Sequence, residues 1–301
     1  MKCAIDILSA PTYDIMYNKY RHGGPGFYAF YSLHATGLPT TVNMPIDAYV
    51  PEEYLLLTPY TPPTECATIF QIEEDIITST RSLVLEKRCT LRDFFPSGDT
   101  LLFSLVMWDI SSYNIAKILP QYRFSVIDVQ GYSRVYDGAK IVNRPEILIT
   151  TLTTFLPKHT NTIIKISIED VQGIRDEIRT IEKITNNAII LTFGPKGLIY
   201  RNNTRTIIVE PPSVLKVDTT GAGDMLSALT LYSLCREQSI EEALCRAVSS
   251  IVCILRERDK RGFYSIPRGV CRKSYQNPSC RIKNLTLSNN LLNIISLHLA
   301  D

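Results

Sequence analysis

Val217–Asp224 packs two carboxylates (Asp218, Asp224), two hydroxyls (Thr219, Thr220) and a Gly-Ala-Gly turn into eight residues. Met225–Cys235 follows with apolar residues at helical spacing and neither Gly nor Pro. Gly221, Ala222 and Gly223 are therefore expected to form a tight turn at a helix N-terminus. Glycines there let backbone N–H groups converge, and the helix dipole adds partial positive charge. Such an anion hole suits phosphate, or the charge that develops as a phosphoryl group moves. Asp224, at its mouth, is placed to take a proton from an attacking hydroxyl. The plainer reading of one Asp at a helix start is a cap.

Other segments invite similar readings. In Gly23-Gly24-Pro25-Gly26-Phe27, glycines before a helix permit close approach of backbone to a ligand, or form only a turn. Ile127–Arg134 reads as a strand ending in Asp128, followed by Gln130, Gly131 and Arg134. That places polar groups where open α/β sheets bind ligands. Arg134 has the planar fork to hold phosphate oxygens, its rival role being a surface ion pair. Thr192, Gly194 and Gly197 mark a glycine turn between two strands.

Val217–Asp224 closely resembles the C-terminal signature of the ribokinase-like (phosphofructokinase-B) carbohydrate kinases. The resemblance extends, in chain order, over roughly residues 3–270. It implies phosphoryl transfer from ATP to a hydroxyl of a sugar, polyol or nucleoside, with Asp224 as base and the Gly221, Ala222 and Gly223 amides as anion hole. It makes Asp14, Gly23, Gly24 and Gln130 acceptor-binding residues, and a carboxylate such as Asp14 can accept two hydroxyl hydrogen bonds. Arg134 becomes a clamp on the transferring phosphate. Thr192, Gly194, Gly197, Asp218, Thr219 and Ser167 fall on the donor side.

The family's Asn-x-x-Glu, which holds magnesium through water, is replaced by Ser167-Ile-Glu169-Asp170. Either carboxylate offers oxygen to a hydrated Mg2+, and a capping box from Ser167 to Asp170 is the rival. A monovalent cation is a further option. Gly-Gly-Pro followed by an aromatic is similar to archaeal inositol-kinase-type members, and a usual Asn nearby is absent, so an inositol-like polyol is favoured. A nucleoside kinase, its base stacked on Phe27 or Tyr28, is the alternative. A non-catalytic ligand-binding relative is the third reading.

The elements that must position these groups follow an α/β rhythm. Strands are expected at 4–8, 100–104, 125–128, 147–149, 162–166, 188–192 and 206–209. Helices are expected at 26–36, 111–119, 168–185, 225–237 and 240–257. Residues 67–73 and 81–87 alternate apolar and polar side chains like a hairpin with one wet face. The resemblance implies a three-layer α/β sandwich with a mainly parallel central sheet. One kinase domain over 1–301 would carry a small β-lid formed by about 11–24 and 64–88. The segment 283–301 reads as a helical or frayed tail.

A net charge of +2, from 32 basic and 30 acidic residues, gives no electrostatic case for nucleic acid or a membrane surface. No apolar run reaches the roughly 18 residues of a membrane span, and a cytoplasmic protein is expected. A homodimer through the lid edge is a further expectation. Eight cysteines lack the close pairs of zinc sites and are expected to be reduced and mostly buried. Disulfides are the alternative, with Cys271 and Cys280 the favoured pair.

Overall fold

The computed structural model describes residues 3–16, 19–44, 46–47, 63–64, 67–75, 80–89, 97–107, 117–138, 140–155, 161–171, 188–213, 217–262, 264–285 and 295. Its core is a nine-stranded sheet whose central strands are β1 (Cys3–Leu8), β9 (Thr100–Ser104), β10 (Phe124–Asp128), β13 (Thr162–Ser167) and β14 (Ala188–Thr192). In sheet order β14, β13, β10, β9, β1 and β4 (Thr40–Asn43) run parallel. Antiparallel β15 (Leu198–Arg201), β16 (Thr206–Glu210) and β17 (Arg281–Leu285) complete the far edge.

The pleat explains why the central strands read as unbroken apolar runs. Leu102, Val126, Ile163 and Ile190 face one core, together with helices α1 (Gly24–Thr36), α3 (Ala222–Cys235) and α4 (Ile240–Arg261). Their neighbours Leu101, Phe103, Ile127, Ile164 and Leu191 face a second core on the other side. Strands covered on both faces need apolar residues at every position.

A second, six-stranded sheet lies beyond the main one. It contains β2 (Thr12–Met16), β3 (Lys19–Gly23), β7 (Thr68–Asp75) and β8 (Thr80–Lys87), the last two paired as an antiparallel hairpin. It also recruits β11 (Arg134–Asp137) and β12 (Lys140–Asn143), whose exposed alternation gave no strand signal.

Three expectations need correction. Residues 147–149 are not a strand; they lie inside helix α2 (Pro145–Phe155). Three apolar residues cannot distinguish the two states, whereas Pro145 at the first helical position and the buried pair Leu148 and Thr151 carry the helical spacing. Residues 283–285 belong to β17, an edge strand too exposed to leave an apolar pattern, and 286–294 and 296–301 lie outside the described residues. The cysteines are not reduced: Cys3 pairs with Cys235, Cys245 with Cys280 and Cys253 with Cys271, and Cys89 is also disulfide-bonded. Of the expected helices, 111–116 and 172–185 fall outside the described residues, and Ile168–Val171 is a 3-10 turn.

Asp6 anchors the sheet from within. Fully buried on β1, it accepts hydrogen bonds from Tyr122 Oη (2.6 Å), Ser97 N (2.8 Å), and Ser97 Oγ and Asn43 Nδ2 (3.2 Å each). Asp6→Ala strands a buried tyrosyl hydroxyl and is expected to cost about 2–4 kcal/mol, measured as a lower urea midpoint at unchanged slope.

Candidate active site

Parallel register and pleat parity bring the polar residues at the strands' carboxyl ends together. Ser104 on β9 is level with Asp128 on β10, which is level with Lys165 on β13. Each lies two residues beyond a side chain of the α3-side core (Leu102, Val126 and Ile163), so all three point to the face that carries α3. Asp224, in the first turn of α3, meets this row. Its Oδ1 accepts from Ser104 Oγ at 3.2 Å. Lys165 forms a buried ion pair with Asp128. A Cβ placed on Gly223 would lie 2.6 Å from Lys165 Nζ, so the ammonium abuts the helix N-terminus.

Gly221 caps α3 with φ of 80°, and the Tyr28 ring of α1 packs where its side chain would be. Only glycine meets both demands. The Ala222 N–H donates to Thr219 O at 3.0 Å, within the turn itself. The N–H groups of Gly221 and Gly223 make no backbone hydrogen bond among the described residues.

Burial dominates the electrostatics of this cluster. It raises Asp224 to about 7, aided by the Asp128 charge and opposed by Lys165, the Ser104 hydrogen bond and Arg134. Burial also works against the Lys165 charge, but Asp128, then Asp224 and Asp170, hold it ionised. Asp170 is buried and raised in the same way, next by repulsion from Asp128, and its Oδ2 accepts from Ser167 N at 3.1 Å. Glu169 is exposed and stands apart from the cluster.

Arg134 donates to Val106 O at 3.0 Å and to Gln130 Oε1 at 3.4 Å. Its charge is felt at Asp14, Asp170 and Asp224. Asp14, on β2, is buried among charges: burial raises it to about 6, and Arg21 and Arg134 pull it back down. A Cβ on Gly23 would come within 2.6 Å of Asp14 Oδ2, so that glycine makes room for the carboxylate. A narrow pocket beside it is lined by Ser9, Thr12, Tyr13, His22, Phe27 and Met44. Phe27 and Tyr28 are themselves largely buried.

Burial also pushes Asp218 upward, but the Thr220 hydroxyl and N–H, then Arg258 and Arg21, hold it well below the usual carboxylate range. Thr192 ends β14 level with Ser167, and Gly194–Lys196 forms a one-turn 3-10 helix into β15.

Four functional candidates were not singled out from sequence: Ser104, Lys165, Arg21 and Arg258. Lys165 did leave a signal, since a lysine inside Ile-Ile-Lys-Ile must be buried and paired. Arg258 left one too, lying on the apolar stripe of Ile251, Ile254 and Leu255. Ser104 and Arg21 left none.

Residues 155–259 match the family profile described as pfkB family carbohydrate kinase. The chain superimposes on a pyrophosphate-dependent kinase of the ribokinase family, complexed with a pyrophosphate analog and myo-inositol. The TM-score is 0.64 at 16% identity, over 84% of this chain and 95% of that one. The fold is ribokinase-like. Ribokinase from Cryptococcus neoformans var. grubii in complex with ADP matches this ribokinase-like chain at a TM-score of 0.63 and 15% identity, covering 91% and 99% of the two chains. A nucleoside kinase from Methanocaldococcus jannaschii matches at 0.59 and 13% identity, covering 88% and 94%. No curated protein matches in sequence. Among the described residues no helix is long and apolar enough to cross a membrane.

Proposed function

We propose that this chain is a phosphotransferase that moves a phosphoryl group from ATP to a hydroxyl of a sugar or polyol, an inositol-like ring being the favoured acceptor. The observation that carries the reading is the buried Asp224 carboxylate at the α3 N-terminus, oriented by Ser104 and flanked by the Lys165 ammonium. The pfkB-family match over residues 155–259 and the ribokinase-like fold support it.

Asp224 takes the acceptor proton, and the Gly221 and Gly223 amides meet the charge on the transferring group. Lys165 and Arg134 add fixed positive charge beside it. Asp14 holds the acceptor hydroxyls at the Gly23-Gly24 turn, and the second sheet excludes water as a lid. ATP phosphates suit these amides and the 193–197 turn. Among the described residues no three or more His, Cys, Asp or Glu side chains converge on a metal position. Magnesium would therefore be held through water by Asp170, whose repulsion from Asp128 is what a dication relieves, and would supply charge neutralisation on the phosphates. One structural relative is named as pyrophosphate-dependent, so pyrophosphate is the alternative donor.

Purified protein should be offered ATP or pyrophosphate with myo-inositol, ribose, fructose 6-phosphate and adenosine. Acceptor-dependent transfer from ATP, strongest with the polyol, is expected. No acceptor-stimulated transfer from either donor would sink the proposal in favour of a binding protein.

Gly23→Ala crowds the Asp14 carboxylate. The expected result is an acceptor KM raised by about 10–100-fold with donor KM little changed. Steady-state kinetics with each substrate varied separately checks this; equal effects on both would remove Asp14 from the acceptor site.

A further inference from the structure

The loop that delivers the anion hole is held by a buried arginine. Arg258, in the last turn of α4, is 6% exposed. Its Nη1 donates to Thr220 O at 2.9 Å, its Nη2 donates to Asp218 O, and Nη2 lies 4.0 Å from Asp218 Oδ1. The other oxygens of the loop also have donors. Asp218 Oδ2 accepts from Arg21 Nη1 at 3.1 Å, and Oδ1 accepts from the Thr220 N–H at 2.9 Å and from its hydroxyl. Thr219 O accepts from Ala222 N and Gly221 O from Met225 N, both at 3.0 Å.

A monovalent cation ordering this loop would need bare carbonyl oxygens to replace its hydration shell. Here the carbonyls of residues 218–221 all have N–H donors, and two of them share one guanidinium. The residues present do not fit a bound monovalent ion. They fit an internal one, because a planar guanidinium can serve two carbonyls at fixed spacing and cannot lose its proton.

We propose that Arg258 is the resident cation of the 218–221 loop, a positioning residue that makes phosphoryl transfer by this chain independent of monovalent metal ions. The inference rests on the kinase reading for its effect on turnover, but not for its effect on the loop.

The test compares potassium chloride with tetramethylammonium chloride at equal ionic strength, reading amide hydrogen exchange over Asp218–Asp224 and acceptor phosphorylation. In the wild-type protein both are expected to change by less than about threefold between the salts; larger protection or stimulation by potassium overturns the proposal. Arg258→Ala is expected to speed exchange of these amides by about tenfold or more. Exchange at the wild-type rate in that variant also overturns it. Should Arg258→Ala fail to fold, the two-salt comparison on wild-type protein decides alone. Absence of turnover with every donor and acceptor would defeat the kinase reading, while the exchange data would still decide the role of Arg258.

Discussion

Asp224→Asn is expected to lower acceptor phosphorylation by about 10²–10⁴-fold while leaving nucleotide binding within a few-fold. The side chain is 8% exposed, and its pKa is lifted to about 7 first by burial and then by Asp128. A base poised there is about half ionised at neutral pH and still accepts a proton readily. Wild-type turnover should rise as pH climbs through about 7, and the residual rate of the Asn variant should lack that limb. A variant that turns over at the wild-type rate would remove Asp224 as the base.

The same carboxylate weakens the fold. Its folded pKa of about 7 lies above the ordinary value of 3.8, so between those pH values the folded chain keeps a proton that the unfolded chain has released. Stability from this group is therefore present at low pH and lost as pH rises through the window. Asn carries no charge to bury. At about pH 8 Asp224→Asn is expected to be more stable than wild type by about 1–4 kcal/mol, with the gain vanishing below about pH 4. Urea midpoints at the two pH values check this, and a variant that is less stable at the higher pH would show that Lys165 and Ser104 outweigh the burial of the charge.

Much of the layered fold was legible, because strands covered on both faces and helices with one apolar stripe leave strong patterns. Thr100–Ser104 and Ala188–Thr192 were bounded correctly from apolar runs alone. Elements whose side chains face solvent were not legible: β11, β12 and β17 have little apolar periodicity, and backbone pairing holds them in place. In the site, Asp224 and the glycines could be singled out because their chemistry is compressed into one segment. The Ser104-Asp128-Lys165 row could not, because it exists only once three parallel strands fall into register. The cysteine pairs are hidden for the same reason, being 18 to 232 residues apart.

Those pairs carry the second large effect. Cα atoms 5.9, 5.6 and 5.8 Å apart put Cys3–Cys235, Cys245–Cys280 and Cys253–Cys271 within reach of bridging without backbone movement. Two of them tie α4 to the segment that follows it, and the third ties the first strand to the end of α3. The shortest closes 18 residues and the longest 232. In the chain-entropy account each restrains the unfolded chain by about 3–5 kcal/mol, the longest loop contributing most. Denatured, unreduced protein is expected to show no reactive thiol at these six positions. The double variant Cys3→Ser with Cys235→Ser is expected to unfold about 10 °C or more below wild type in the absence of reductant. In excess reductant the two should unfold at similar temperatures, since the cross-link that distinguishes them is then gone from both. Cys3 is only 1% exposed, so native protein should lose this bridge only as fast as it opens, and the reductant effect should depend on scan rate. Thiol titration of denatured protein that finds these cysteines free would refute the pairing. Retention of the pairs would restrict where the chain can work, since such bonds persist in oxidising compartments and in hyperthermophile cytosol but not in ordinary cytosol.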